Sequence, residues 1–198
     1  MQIVFWCKQL FIYDAFAKRL SEAVKTLRIG PTSEKDAQLG PLINQPAIDK
    51  VKQHITDAIE QGARLLTGGN VAPQRKLFFE PTALVDVNNQ MKVAKEETFG
   101  PLAPLFKFAD ESEAIYLANA TEFGLTAYFY SRDISRIYRV AEALEAGMIS
   151  INEEHISYEM APFGGIKQSG LGREGSHYGI DEFLEIKYLC LGNIKATK

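Results

Sequence analysis

Residues 105–151 read LFKFADESEAIYLANATEFGLTAYFYSRDISRIYRVAEALEAGMISI, and this stretch decides the fold. Residues 105–108 are apolar enough for a buried strand. Asp110 and Glu113 then form a D-x-x-E capping box that opens a helix with Ala114, Leu117 and Ala118 turned inward. A second strand is expected over 126–130. A second helix, over 133–145, places Ile137, Val140, Ala141 and Leu144 on one face and stops at Gly147. Residues 148–151 make the third strand. Strands separated by helices of this length predict a parallel α/β sheet with right-handed crossovers.

Upstream, Asp14 is placed to cap a helix running to about residue 27, with Phe16, Leu20, Ala23, Val24 and Leu27 on one face and Gly30-Pro31 as the stop. A helix over 46–61 carries the stripe Ile48, Val51, Ile55 and Ile59, and Gly62 sits where a C′ glycine belongs. Residues 64–67 form a short strand closed by Gly68-Gly69. Residues 78–85 are extended but contain Pro81, which predicts an edge strand or two short ones. Downstream, residues 161–175 hold five of the fifteen glycines and read as a structured loop. In residues 184–191, LEIKYLCL, apolar Leu184, Ile186, Tyr188 and Cys190 alternate with charged Glu185 and Lys187. That strand follows no crossover helix, so it reads as an arm pairing elsewhere, on a neighbouring subunit.

The 198 residues are 46% hydrophobic and 24% charged, enough for an ordinary domain with its own core. The net charge of −3 lacks the basic excess of a nucleic-acid binder. No apolar run approaches the roughly 18 residues of a membrane span. The apolar head, MQIVFWCKQLFIYDAF, has no small-residue cleavage site and does not read as a signal peptide. Two cysteines cannot build a disulfide framework or a thiolate metal site. The expectation is a soluble, cytoplasmic chain without nucleic-acid or membrane partners.

Several residues could carry chemistry. Gly170-Leu-Gly172-Arg-Glu-Gly175 matches G-x-G-x-x-G, but a loop precedes it and no acid follows about 20 positions on, so it reads as a loop and not as a dinucleotide fingerprint. Cys7 lies between Trp6 and Lys8 with no base or motif around it and reads as an incidental thiol; Cys190 reads as a packing residue. His54, His155 and His177 lack metal-ligand spacing. His54 reads as a surface position on a helix. His155, in the loop after a strand, is better placed for function. Glu96-Glu97-Thr98-Phe99-Gly100-Pro101 puts two acids and an aromatic at a rigid turn before a strand. An acid there can bind ribose hydroxyls while the ring packs a cofactor; an exposed turn is the plainer reading. Asn152 ends a parallel strand, which makes residues 153–163 a candidate pocket rim or an ordinary connecting loop.

Taken together and in this order, LGPLI (39–43), EETFGPLAPLFKF (96–108), ANATEFGLTAYFYSRD (118–133), EAGMISIN (145–152) and APFGGIKQSGLGREGSHYGIDEFLEIKY (161–188) resemble the aldehyde dehydrogenase superfamily, and within it the succinate-semialdehyde dehydrogenases. The resemblance covers residues 13–192, nearly the whole chain, and corresponds to the C-terminal portion of such an enzyme. It implies a parallel-sheet catalytic domain with a C-terminal oligomerisation strand and without the cofactor domain. Residues 13–175 would be a partial catalytic domain and residues 176–198 the oligomerisation arm and tail. The family's chemistry is attack of a cysteine thiolate on an aldehyde, hydride transfer to NAD or NADP, and hydrolysis of the thioester. Its nucleophile lies in a Q-T-C signature that this sequence lacks, so no catalytic role passes to Cys7. By resemblance, Glu97 and Phe99 hold the nicotinamide ribose. Phe163 and the segment around Ser157 wall the aldehyde tunnel, with Ser157 on the far carboxylate of the substrate.

Residues 1–12 depart from the pattern. Met1-Gln2-Ile3-Val4 fits the codons ATG CAA ATC GTT, which two bases on read Ala-Asn-Arg, as in the family; the head thus reads as the family's strand in a shifted frame. Two functions follow. By family, the protein oxidises an aldehyde, succinate semialdehyde first among candidates, with NAD or NADP. Alternatively, the chain is an inactive truncated remnant that forms homo-oligomers or associates with full-length relatives.

Overall fold

The computed structural model describes the backbone of residues 5–8 and residues 12–73 and 76–193 in full. The side chain of Cys7, and most of the head read as frame-shifted, lie outside the described residues. The chain forms two compact units, residues 1–121 and 122–198.

The first unit is a four-stranded sheet in the order β1-β4-β3-β2, with β1 Phe5–Lys8, β2 Arg64–Thr67, β3 Thr82–Val87 and β4 Leu102–Phe108. β1 and β3 both run parallel to β4, and β2 adds an antiparallel edge. β1, β4 and β3 are thus the parallel sheet that the sequence predicts, and β2 makes it mixed at one edge. Residues alternate across it. Leu84 and Phe106 join one buried cluster with Ile48, Val51, Ile55 and Ala58 of helix α2 (Gln45–Glu60). Val85 and Leu105 join the opposite one with Tyr13 and Ala17 of helix α1 (Tyr13–Thr26). Period-two strands with helices on both faces give three layers. Burial of each large apolar side chain here contributes about 1.5–3 kcal/mol.

Local chemistry sets the ends of α2. The Asn44 side chain accepts the Ala47 amide at 3.0 Å, and Gly62, at φ +100°, turns the chain out. The amides of Gly62 and Ala63 return to the carbonyls of Ile59 and Ala58 at 3.0 and 2.9 Å, a Schellman closure. Three expectations need correction. Asp14 lies in the first turn of α1 and caps nothing; Ile12 is the cap residue, without a side-chain bond. The buried face of α1 is Tyr13, Ala17, Ser21 and Val24, so Ala23 points to solvent. Pro81 does not mark an edge: it precedes β3, a buried central strand, and the extended residues before it contribute only a bridge between Val71 and Phe79.

A one-turn helix α3 (Lys92–Lys95) links β3 to β4, and helix α4 (Glu111–Asn119) follows. The capping box forms: Asp110 accepts the Glu113 amide at 2.9 Å, while the Glu113 carboxylate reaches one residue further back, to the Ala109 amide.

In the second unit, β6 (Thr126–Phe129) and β7 (Met148–Ile151) pair in parallel around helix α5 (Ile134–Ala143), capped by Asp133. The two-residue strands β5 (Phe123–Gly124) and β8 (Ile166–Lys167) pair antiparallel. Glycines allow the close fit around them. A Cβ on Gly147 would overlap the Gly164 carbonyl, one on Gly164 the Gly172 carbonyl, and one on Gly124 the Glu145 carbonyl and Ile166. Residues 184–191, expected as a strand, are not one here. Leu184, Ile186, Tyr188, Leu189 and Leu191 are exposed, Ile186 fully. A strand needs a second backbone to bond with, and this segment pairs with no strand of the described residues. Among those residues no helix is long and apolar enough to cross a membrane.

Candidate active site

The Glu96–Pro101 turn lies between α3 and β4. The preceding helix α3 is anchored from α2, where Asp57 accepts the Lys92 amide at 2.8 Å. Thr98 is buried, Glu97 half-buried, and Phe99 is 71% exposed with φ +47°, a left-handed conformation uncommon for an aromatic residue. Glu97 and Phe99 thus flank a side chain that points into the protein.

The partner of inward Thr98 is His54 on α2, which sequence reasoning assigned to the surface. It is fully buried, because it falls on the α2 stripe between Val51 and Ala58. Its Nδ1 lies 2.9 Å from Thr98 Oγ1 and its Nε2 3.3 Å from Glu96 Oε2. A carboxylate can only accept, so Nε2 carries the proton and the threonine hydroxyl donates to Nδ1. Burial holds the imidazole below its ordinary value, against the opposing pull of Glu96. Thr98 was the missed partner; the available signal was a histidine one turn along an apolar stripe, four residues before Ala58.

In the second unit, Asn152 follows β7 at φ +56°. Its amide donates to the Ser131 carbonyl at 2.7 Å and accepts the Ser131 amide at 2.9 Å, tying together the carboxyl ends of β6 and β7. The segment expected as a pocket rim follows. Glu153 accepts the amides of Glu154 and His155, which hold its carboxyl below the usual range. Ser157 is exposed, His155 is exposed, and Phe163 is half-buried. Phe163 and Glu174 exchange backbone hydrogen bonds at 2.8 and 2.7 Å, closing the loop between them. Ser157 and Phe163 share this loop region; Glu97 and Phe99 share the turn of the first unit.

The G-x-G-x-x-G segment is a loop, as expected. Gly170, Gly172 and Gly175 all take positive φ, and Arg173 Nη1 donates to the carbonyls of Gly165 and Gly172 at 2.9 and 2.7 Å. These glycines fold the chain around an arginine. Cys190, expected to pack, is exposed.

The chain belongs to the aldehyde dehydrogenase family, which it matches over residues 7–189. Among its relatives, the NADP(+) succinate-semialdehyde dehydrogenase GabD of Escherichia coli K12 is 58% identical over 181 residues, 91% of this chain and 38% of that protein. A glutarate-semialdehyde dehydrogenase of Pseudomonas putida KT2440 is 60% identical over 91% of this chain and 37% of its own length. A 3-sulfolactaldehyde dehydrogenase of Pseudomonas putida is 58% identical. A crystal structure of succinate-semialdehyde dehydrogenase from Burkholderia pseudomallei superposes with a TM-score of 0.91 at 60% identity, covering 94% of this chain and 39% of that one. The chain thus spans well under half the length of these relatives.

Proposed function

We propose that this chain is part of an NAD- or NADP-dependent dehydrogenase that oxidises a short aldehyde carrying an anionic group at its far end. The observation that carries the reading is the 58–60% identity to enzymes named for succinate semialdehyde, glutarate semialdehyde and 3-sulfolactaldehyde. All three names describe an aldehyde with a carboxylate or sulfonate. Glu97 and Phe99 serve the nicotinamide ribose, Phe163 walls the aldehyde path, and Ser157, exposed on the loop after β7, donates to the far anion. Oxidation of the aldehyde carbon requires a bound nicotinamide, and the two residues of the braced turn orient its sugar. The extended 184–191 segment pairs with a second subunit.

The test is an intact enzyme made by joining residues 13–198 to the preceding portion of the GabD relative. There Ser157→Ala removes one hydrogen bond to a charged group, about 1.5–3 kcal/mol, and should raise KM for succinate semialdehyde roughly ten- to hundredfold. An uncharged aldehyde of similar length should be nearly unaffected. An equal effect on both substrates refutes the assignment.

A second reading, a non-catalytic chain that retains only subunit association, is favoured by the thiol placement: Cys190 is exposed on the extended C-terminal segment and Cys7 has no catalytic motif around it. Without a thiolate there is no thiohemiacetal and no hydride donor. Aldehyde-dependent NAD(P)H formation by the purified 198-residue chain, lost in Cys7→Ala, would overturn it.

A further inference from the structure

We propose that His54 is a positioning residue: from α2 it clamps Thr98 and thereby presents Glu97 and Phe99 to the nicotinamide ribose. The ribose half rests on the function proposed above; the clamp rests on geometry alone. The imidazole is fully buried, with Thr98 Oγ1 at 2.9 Å on one nitrogen and Glu96 Oε2 at 3.3 Å on the other. One turn earlier on the same helix face, Val51 packs so closely over Gly100 that a Cβ there would overlap its Cγ2. Two α2 side chains three positions apart thus hold the Thr98 side chain and the Gly100 backbone, and Phe99 between them is turned outward at φ +47°. A left-handed aromatic residue costs free energy and persists only where its surroundings over-determine it. α2 in turn is fixed to the sheet through Ile48, Ile55 and Ala58, so the turn is tied to the rigid core.

The charged groups facing His54 are Glu96 of the turn, Lys50 of α2 and Lys92 of α3. If His54 takes a second proton, Nδ1 becomes a donor and Thr98 must reverse its hydroxyl; the clamp in its present form belongs to the neutral ring.

The experiment uses the 198-residue chain and three variants: Thr98→Val, His54→Leu, and His54→Gln, whose amide can donate to Glu96 and accept from Thr98. NMR of the labelled histidine should show the Nε2–H tautomer. Amide hydrogen exchange across residues 97–100 should become roughly tenfold faster in Thr98→Val and His54→Leu, while β3 and β4 amides keep their protection. His54→Gln should restore most of the loss, which a residue that merely fills space would not. If His54→Leu does not fold, Thr98→Val carries the test. Unchanged exchange at 97–100 in Thr98→Val, with the core intact, overturns the clamp. Nicotinamide mononucleotide is the ligand probe: it should shift the Glu97 and Phe99 signals of the parent chain, and roughly tenfold more of it should be needed in Thr98→Val. No shift in the parent overturns the ribose reading and leaves the clamp to be decided by exchange; equal titrations in parent and Thr98→Val overturn the presentation role.

Discussion

Replacing Tyr13 by phenylalanine removes one oxygen from the centre of the first unit. The ring is 1% exposed, and the variant keeps its packing against Ala17, Val85 and Leu105. What goes is a hydroxyl that donates to the Leu105 carbonyl at 3.2 Å and accepts the Asp86 amide at 2.8 Å. Asp86 sits at φ +58°, in the register break between Leu84 and Val87 where the β3–β4 ladder skips. Its N–H depends on the phenol. Losing the bond costs about 1 kcal/mol, and a partly buried donor left without an acceptor costs about 1–3 more. Relief from desolvating the phenol, whose burial pushes its pKa up, offsets part of this. The net expectation is about 2 kcal/mol, a large share of a typical 5–15 kcal/mol stability. With a urea slope of about 2 kcal/mol/M, the midpoint should fall by about 1 M. The assay is urea unfolding followed by the fluorescence of Trp6, the single tryptophan and a probe in the first unit. A midpoint shift below about 0.2 M at unchanged slope would refute the bulge-anchor argument.

Stability should also depend on His54. Because burial keeps its folded pKa below the unfolded value near 6.5, the unfolded chain binds the proton first as pH falls. The contribution is complete above about pH 6.5 and declines below it until the folded pKa is passed; His54→Gln should flatten the urea midpoint across that window. Asp110→Ala removes the cap of α4 and should cost about 1 kcal/mol in the same assay, whereas Asp14→Ala, at a position that caps nothing, should cost less than half of that. Ile186→Lys combined with Tyr188→Lys should lower self-association of the chain in sedimentation, since both side chains are exposed on the extended segment; unchanged sedimentation would show that other surfaces drive it.

Periodicity and caps made much of the fold legible. The 105–151 alternation yields β4, α4, β6, α5 and β7, and Gly62 and Asp110 act locally, within four residues of their partners, where sequence speaks directly. Two of the misreadings share a cause: each depends on a partner distant in sequence. Tyr13 is drawn into the core by Leu105 and Asp86, more than seventy residues away, which rotates the face of α1. His54 is buried because Thr98 and Glu96, over forty residues on, satisfy both nitrogens. The alternating 184–191 segment carries a strand pattern, but a pattern does not supply the neighbouring backbone. At the candidate site, the acid-aromatic turn was visible as composition, while its brace needed three dimensions.

The glycine contacts of the second unit bear on how such a chain can diversify. Positions 124, 147 and 164 cannot accept even a methyl group without displacing backbone carbonyls, so they are closed to larger residues. Residues 153–160, mostly exposed, lie outside that interlock and can change size and charge at little cost to folding. A lineage built on this scaffold is therefore steered: change accumulates on the exposed loop around Ser157, while the glycine contacts stay constant. Evolvability and rigidity are partitioned along the chain by where a Cβ will fit.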